Sequence, residues 1–306
     1  MLRRLLALKS RKARYLDVSP PKAMAAGQHI GIACIMRNVA PYIEEWLHFH
    51  FLAGVNHVLA YENLSDDTTR KILESYPPDK VTVIPWALHG SDEGTDRYLS
   101  RQVTAYAHAV TTFGASFTRL AFIDVDEFLV PVGHDSIPAA LAAIGHHSNL
   151  SLPWLMFGHA GHDMRPEGGV LRNYTHRAVT PYEANSPLLR FKCIMDPCRT
   201  TTVGVHRFRT TDLGDQTANT RGEIVGNGAR KQRGFFATEH LQLNHYYSLS
   251  RAETEAKITR GPVANASPSG YAARVREKIT EIERQTVEDL RAVDFLSAAE
   301  GRAGPI

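Results

Sequence analysis

The residues best placed to do chemistry are three carboxylates at the end of an apolar run. In TRLAFIDVDEFLVP (residues 118–131), Leu120, Ala121, Phe122 and Ile123 read as a buried strand that stops at Asp124, Asp126 and Glu127. Desolvating unpaired acids beside a core is expensive, so a cation is the expected partner. Asp124 and Asp126 flank Val125, and in extended geometry both point to one side. Two hard oxygen donors at the carboxyl end of a strand suit Mn²⁺ or Mg²⁺ carrying a phosphate. The competing structural reading is a strand-end turn of solvated acids. A D-x-D-x-T phosphatase nucleophile is disfavoured, because Phe128 takes the Thr place.

The elements around this run alternate. IGIACIM (30–36) is a buried-strand pattern, and Asn38 and Pro41 then mark a helix start with Asn38 as its cap. Ile43, Trp46, Leu47, His50 and Phe51 recur at helical spacing until Gly54. Strands are expected at 55–61 and 81–86, with a helix between them ending before Pro77 and Pro78, and a helix over 97–112. Strand–helix alternation through residue 130 predicts an α/β fold with a mostly parallel sheet flanked by helices. Ligands of such sheets bind beyond the carboxyl ends of the strands. Arg37/Asn38, Glu62/Asn63 and Asp124/Asp126 all fall there.

Downstream, a short helix at 136–144 precedes strand-like runs at 150–155, 170–177, 188–194, 201–208 and 240–247. The Gly- and His-rich segment 156–169 reads as a loop over the site, and 210–234 as a mobile excursion. Ser250 with Glu253 is a capping box opening a helix to about residue 260. Residues 272–296 read as one long amphipathic helix with Val275, Ile279, Ile282, Val287, Leu290 and Val293 as its stripe. The expected organisation is a basic tail (1–28), a catalytic-type α/β domain (29–261), then a linker and C-terminal helix (262–306).

Composition bounds the rest. The 306 residues are 43% hydrophobic and 22% charged, with a formal net charge of +3. That balance fits a globular α/β protein and gives no argument for nucleic acid. No stretch approaches the roughly 20 apolar residues that span a bilayer. Cys34, Cys193 and Cys198 lack metal-type spacing, which favours a reducing cytoplasm. The basic first residues read first as a poorly ordered tail; the alternative is a weak contact with a partner or an anionic membrane surface, which would put a cytoplasmic protein at the inner face of the membrane.

An ordered set of motifs resembles GT-A-type (Rossmann-like) glycosyltransferases, nearest the family 2-like branch related to glycosyltransferase family 92. The set runs Arg37-Asn38, Glu45-Trp46, Gly54-Val55, YENLSDDTTRKIL and IDVDEF. It continues with Trp154 to Gly158, Lys192 to Pro197, Gly204-Val-His206, Asn244-His245-Tyr246 and Ser250…Lys257…Arg260-Gly261. Arg37 stands where Lys is usual, Val39 where an acid is usual, and Glu62 where Asp is usual.

The resemblance implies a metal-dependent, inverting transferase. It would move a sugar from a nucleotide-diphosphate donor, a UDP-sugar above all, to a hydroxyl of a saccharide or lipid-linked glycan. It implies Asp126 as a metal ligand and Asp124 on metal, ribose or both, with His245 or His206 as a further ligand. Glu62, Asn63 and Asp67 are the implied rim for base and ribose, helped by Arg37, Asn38 and Arg101. Lys257, Lys192, Arg199 and Arg260 are candidate diphosphate partners. Asp163 or Glu167 is the expected general base, with His159 and His162 as rivals. A phosphohydrolase or nucleotidyltransferase using the same acids, or a silent nucleotide- or glycan-binding module, are the alternatives.

Overall fold

The computed structural model describes residues 14–24, 29–88, 91–92, 97–98, 100–179, 186–261 and 268–303. The parallel core forms as the alternation predicts. Strand Ile30–Met36 lies between Arg119–Phe122 on one side and His57–Glu62 on the other, and His57–Glu62 pairs with Val81–Pro85, all parallel. Ile30–Met36, His57–Glu62 and Arg119–Phe122 are buried on both faces over most of their length, whereas the edge strand Val81–Pro85 is only partly covered. Beyond Arg119–Phe122 the pairing turns antiparallel, first to Phe191–Met195 and then to Asn149–Phe157. The sheet is therefore mixed, with a four-stranded parallel block.

One strand joins two sheets. The first half of Asn149–Phe157 pairs with Phe191–Met195, whereas its second half pairs parallel to Leu241–Tyr246. Leu241–Tyr246 in turn pairs antiparallel with Glu127–Pro131. The chain thus crosses from the main sheet at Phe122 to the smaller one at Glu127, and the acidic residues occupy the crossing. Asp124 and Asp126 do not alternate along a strand, as expected from spacing alone. They sit in a tight turn closed by Glu127 N–H donating to the Asp124 carbonyl at 3.0 Å.

Several elements differ from the sequence pattern. The stripe over 272–296 is broken: helix Pro268–Glu283 stops, Thr286–Glu288 pairs with His176–Ala178, and a new helix Arg291–Ala303 begins. β-Branched Thr286 and Val287 complete an edge here, so pairing wins over helical periodicity. Asp289 anchors the junction, accepting from Arg177 Nε at 2.7 Å and Arg291 Nη1 at 2.8 Å. Val287 and Leu290, expected in the stripe, are exposed.

Residues 170–177 split into a one-turn helix, Val170–Asn173, and a strand. Glu45 accepts from the Val170 and Leu171 N–H groups at 2.6 and 3.0 Å, which stabilises that helix start. The helix expected over 97–112 begins at Arg101, after Arg97–Tyr98 pair with Ser91–Asp92. The excursion over 210–234 contains strands Gln216–Ala218 and Ile224–Gly226, which extend the main sheet. The basic tail is not wholly loose: Tyr15–Asp17 pairs with Thr200–Gly204, and Gly204 leaves room for the Tyr15 ring. Residues 1–13, with the membrane-surface contact expected of them, and residues 262–267 of the expected linker lie outside the described residues. Among the described residues, no helix is long and apolar enough to cross a membrane.

Candidate active site

The acidic turn opens into a cavity of about 490 Å³ at the carboxyl ends of the parallel strands. Arg37, Asn38, Asn63, Arg101, Gln102, Asp124 and Asp126 line it. Tyr247, Ser248, Leu249, Lys257 and Arg260, from the capped helix and the segment before it, line it too. The turn is fixed from beneath. Trp46 Nε1–H donates to the Glu127 carbonyl at 2.7 Å, and the Asp126 carbonyl accepts from Tyr246 N–H at 2.8 Å.

Each acid has a distinct setting. Asp124 accepts from Gln102 Nε2 at 2.7 Å on one oxygen and from Lys192 Nζ at 2.8 Å on the other. Lys192 is fully buried and also lies 3.5 Å from Glu127 Oε2. Burial opposes its charge, but Asp124 and Glu127 outweigh burial and hold its pKa well above the ordinary value. Its work is to compensate the acids inside the protein, which leaves it off the cavity wall where a diphosphate contact was expected. Glu127 goes the other way: burial raises it well above the carboxylate range, against Lys192.

Asp126 Oδ2 lies 3.3 Å from His245 Nε2. Burial pushes His245 down, and the hydrogen bond to Asp126 and its charge oppose that. Burial also works against an ionised Asp126, yet His245, Lys257 and Lys192 outweigh it and keep Asp126 below the usual range.

Asp126, Glu127 and His245 each offer a ligand atom, all within 4.8 Å of one another. Glu127 Oε1 is buried without a hydrogen-bond partner, as is His245 Nδ1. Two carboxylate oxygens and an imidazole nitrogen, one oxygen unpaired, fit a divalent cation of Mn²⁺ type. His206 stays outside this trio. Its Nδ1 pairs with the Phe191 carbonyl at 2.9 Å, its ring meets Trp154 edge-on, and burial pushes it down to about 4. Asp124 has both oxygens engaged by Gln102 and Lys192, which places it beside the trio.

The expected nucleotide rim divides. Asn63 lines the cavity with its Oδ1 buried and unpartnered. Glu62 is turned inward, accepting from Ser65 N–H at 2.6 Å. Asp67 braces two helix starts, accepting from Ala40 N–H at 3.2 Å and Thr69 N–H at 2.9 Å. Asn38, expected to cap the first helix, instead takes a left-handed φ of 54° and accepts from Asp66 N–H, and Val39 occupies the cap position. Arg37 lies 3.9 Å from Asp66, both exposed. Lys257 lines the cavity, with Nζ 3.1 Å from the Tyr247 carbonyl. Arg199 pairs with Asp196 and Asp212 and does not line the cavity.

The structure does not bring Asp163 or Glu167 to the cavity. Asp163 is exposed and pairs with Arg251, and Glu167 is exposed on the same loop. His159 is tied to Glu283 and His162 to the Asn173 carbonyl. The cavity's other carboxylate is Glu253, which accepts from Tyr42, from Tyr174 at 3.1 Å and from Ser250 Oγ at 2.6 Å. Its capping spacing was readable; its two tyrosine partners, 211 and 79 residues away, were not.

Fold and site define an α/β protein with an acidic, cation-suited cleft at the carboxyl ends of its parallel strands. The model of glycosyltransferase family 92 matches residues 33–290, and the chain belongs to that family. A family 92 protein of Oryza sativa subsp. japonica is 26% identical over 157 residues, 49% of this chain and 25% of its own length. One of Ricinus communis is 26% identical over 192 residues, 59% of this chain and 31% of its own. The chain thus spans less than a third of either relative. A crystal structure of S. aureus TarS aligns at 12% identity with a TM-score of 0.32, over 83% of this chain and 43% of its own, which is a remote likeness.

Proposed function

We propose that the chain is a metal-dependent, inverting glycosyltransferase of GT-A type that takes a UDP-sugar and glycosylates a hydroxyl of a saccharide or lipid-linked glycan. The observation that carries this reading is the grouping of Asp126, which lines a cavity of about 490 Å³, with the buried His245 and the unpaired Glu127 oxygen. Family membership supports transfer over hydrolysis or silent binding.

A bound Mn²⁺ or Mg²⁺ supplies Lewis-acid stabilisation of the departing diphosphate. The chain's own residues do the rest. Gln102 and Lys192 hold Asp124 in one orientation at the cavity wall. Asn63 Oδ1 offers an acceptor for the N–H of a uracil-type base. Lys257 and Arg260 set positive charge on the same cavity, where the leaving group gathers negative charge. With Asp163 and Glu167 in solvent, the reading needs no role for either in binding the donor.

The test is Mn²⁺-dependent release of nucleoside diphosphate from a panel of UDP-sugars, by wild type and by Asp126→Ala. Release by wild type alone supports the reading. Equal release by both, or phosphate as the product, overturns it.

A further inference from the structure

Helix Pro268–Glu283 brings a cation onto the aromatic side chains beside the site. Lys278 Nζ lies 4.8 Å from the centroid of the Tyr247 ring and 5.5 Å from that of Trp154. Lys257 Nζ lies 4.0 Å from the same Tyr247 ring. Two ammonium groups therefore share one aromatic side chain that lines the cavity. Lys257 has the Tyr247 carbonyl as a partner. Lys278, among the described residues, makes no hydrogen bond or ion pair and has only the two rings.

Ring faces attract a cation only weakly, which does not replace the hydration a half-buried ammonium gives up. The neighbourhood adds to the deficit. Burial first, then Arg190 and Lys257, pushes Lys278 down to about 8, and Asp126 is the acid that opposes them. A second unmet donor lies in the same cluster. Trp154 Nε1–H, which can only donate, is buried without an acceptor, and the Trp154 ring packs 4.4 Å from that of His245. Unpaired donors and surplus positive charge beside Asp126 call for an anionic oxygen-rich group.

We propose that Lys278 contacts the terminal phosphate of the donor's diphosphate, so that the helix beyond residue 261 forms part of the active site. This rests on the glycosyl-donor reading above. Packing, a bond from the His159 backbone and an ion pair of Arg276 with Glu255 at 3.1 Å hold the helix in place. Val275 and Ile282 are buried, and Glu283 Oε1 accepts from His159 N–H at 2.8 Å. The long reach from Trp154 to Lys278 explains why the lysine carried no signal in the sequence, where it is one basic residue among several on an amphipathic helix.

Calorimetric titration in Mn²⁺ of UDP, and separately of inorganic pyrophosphate, tests this with wild type, Lys278→Met and Lys278→Arg. Lys278→Met should weaken both probes about tenfold, the scale of one charge-assisted hydrogen bond, and Lys278→Arg should recover most of the loss. A folded Lys278→Met that binds both probes like wild type overturns the proposal and leaves the donor reading intact. Wild type that binds neither probe overturns both. Should Lys278→Met not fold, the wild type still decides: pyrophosphate with Mn²⁺ should protect Lys278 from amine acylation, read by mass spectrometry. Acylation at an unchanged rate overturns the contact.

Discussion

Lys192 Nζ sits 2.8 Å from Asp124 Oδ2, and the lysine is fully buried while the aspartate is one-third open to the cavity. The cation is thus supplied from the core side, leaving the cavity side of the turn to ligands. Removing it strands Asp124 without its counter-charge. Lys192→Met should cost about 2–4 kcal/mol, somewhat less than for a wholly enclosed pair because Asp124 retains water. Urea unfolding of the two proteins measures this, and a loss under about 1 kcal/mol contradicts the role given to Lys192.

The trio of Asp126, Glu127 and His245 predicts a graded metal response. Asp126→Asn should abolish measurable Mn²⁺ binding, and His245→Ala and Glu127→Gln should each weaken it at least about tenfold. His206→Ala should leave it near wild type, because His206 faces Phe191 and Trp154 instead. Electron paramagnetic resonance of free Mn²⁺ during titration reads the affinities without relying on turnover. A His206 variant that loses more than the His245 variant would reverse the assignment.

These two sites show what the chain discloses by itself and what it withholds. The D-x-D-E run announces its acids, because packed charge at the end of an apolar strand requires an explanation. The parallel block is equally readable, since strands buried on both faces leave continuous apolar runs such as Ile30–Met36. Lys192 leaves a fainter trace, a lysine inside the apolar run FKCIM, whose acid partner lies 68 residues away. Asp67 and Glu62 mislead because a carboxylate that caps a helix or loop looks, in sequence, like one that meets a ligand. The break in the C-terminal helix is hidden for a related reason: Thr286–Glu288 becomes a strand only because His176–Ala178 presents an edge.

His50 makes the acid response predictable. It is fully buried, its Nδ1–H donates to the Trp46 carbonyl at 2.8 Å, and its Nε2 accepts from Leu129 N–H at 3.2 Å. Burial depresses its pKa to about 3, against the backbone bond to Trp46. The folded pKa lies below the unfolded one, so below about pH 6.5 only the unfolded chain takes up the proton. Stability should therefore fall as pH drops from about 6.5 toward 3, by up to about 1.4 kcal/mol per pH unit from this group. His50→Gln should be less stable at neutral pH but lose less as the solution is acidified from about pH 6.5 to about pH 4.5. Urea unfolding across that range checks both slopes, and parallel slopes would remove His50 as the cause.

Gly158 offers a way to loosen helix Pro268–Glu283 from outside the cavity lining. A Cβ there would run into the Glu283 carboxylate and approach Ile282 Cγ2 at 3.2 Å. Glu283 can swing aside, but only by giving up its bond from His159 N–H. A hydrogen bond to a charged acceptor contributes about 1.5–3 kcal/mol, so Gly158→Ala should lose up to that amount. Glu283→Ala should lose a similar amount, and the double variant little more, because both remove one interaction. Thermal unfolding of the four proteins completes the cycle. If the helix carries Lys278 to the diphosphate, Gly158→Ala should also weaken pyrophosphate binding, whereas additive losses with unchanged binding would separate the Glu283 contact from the site.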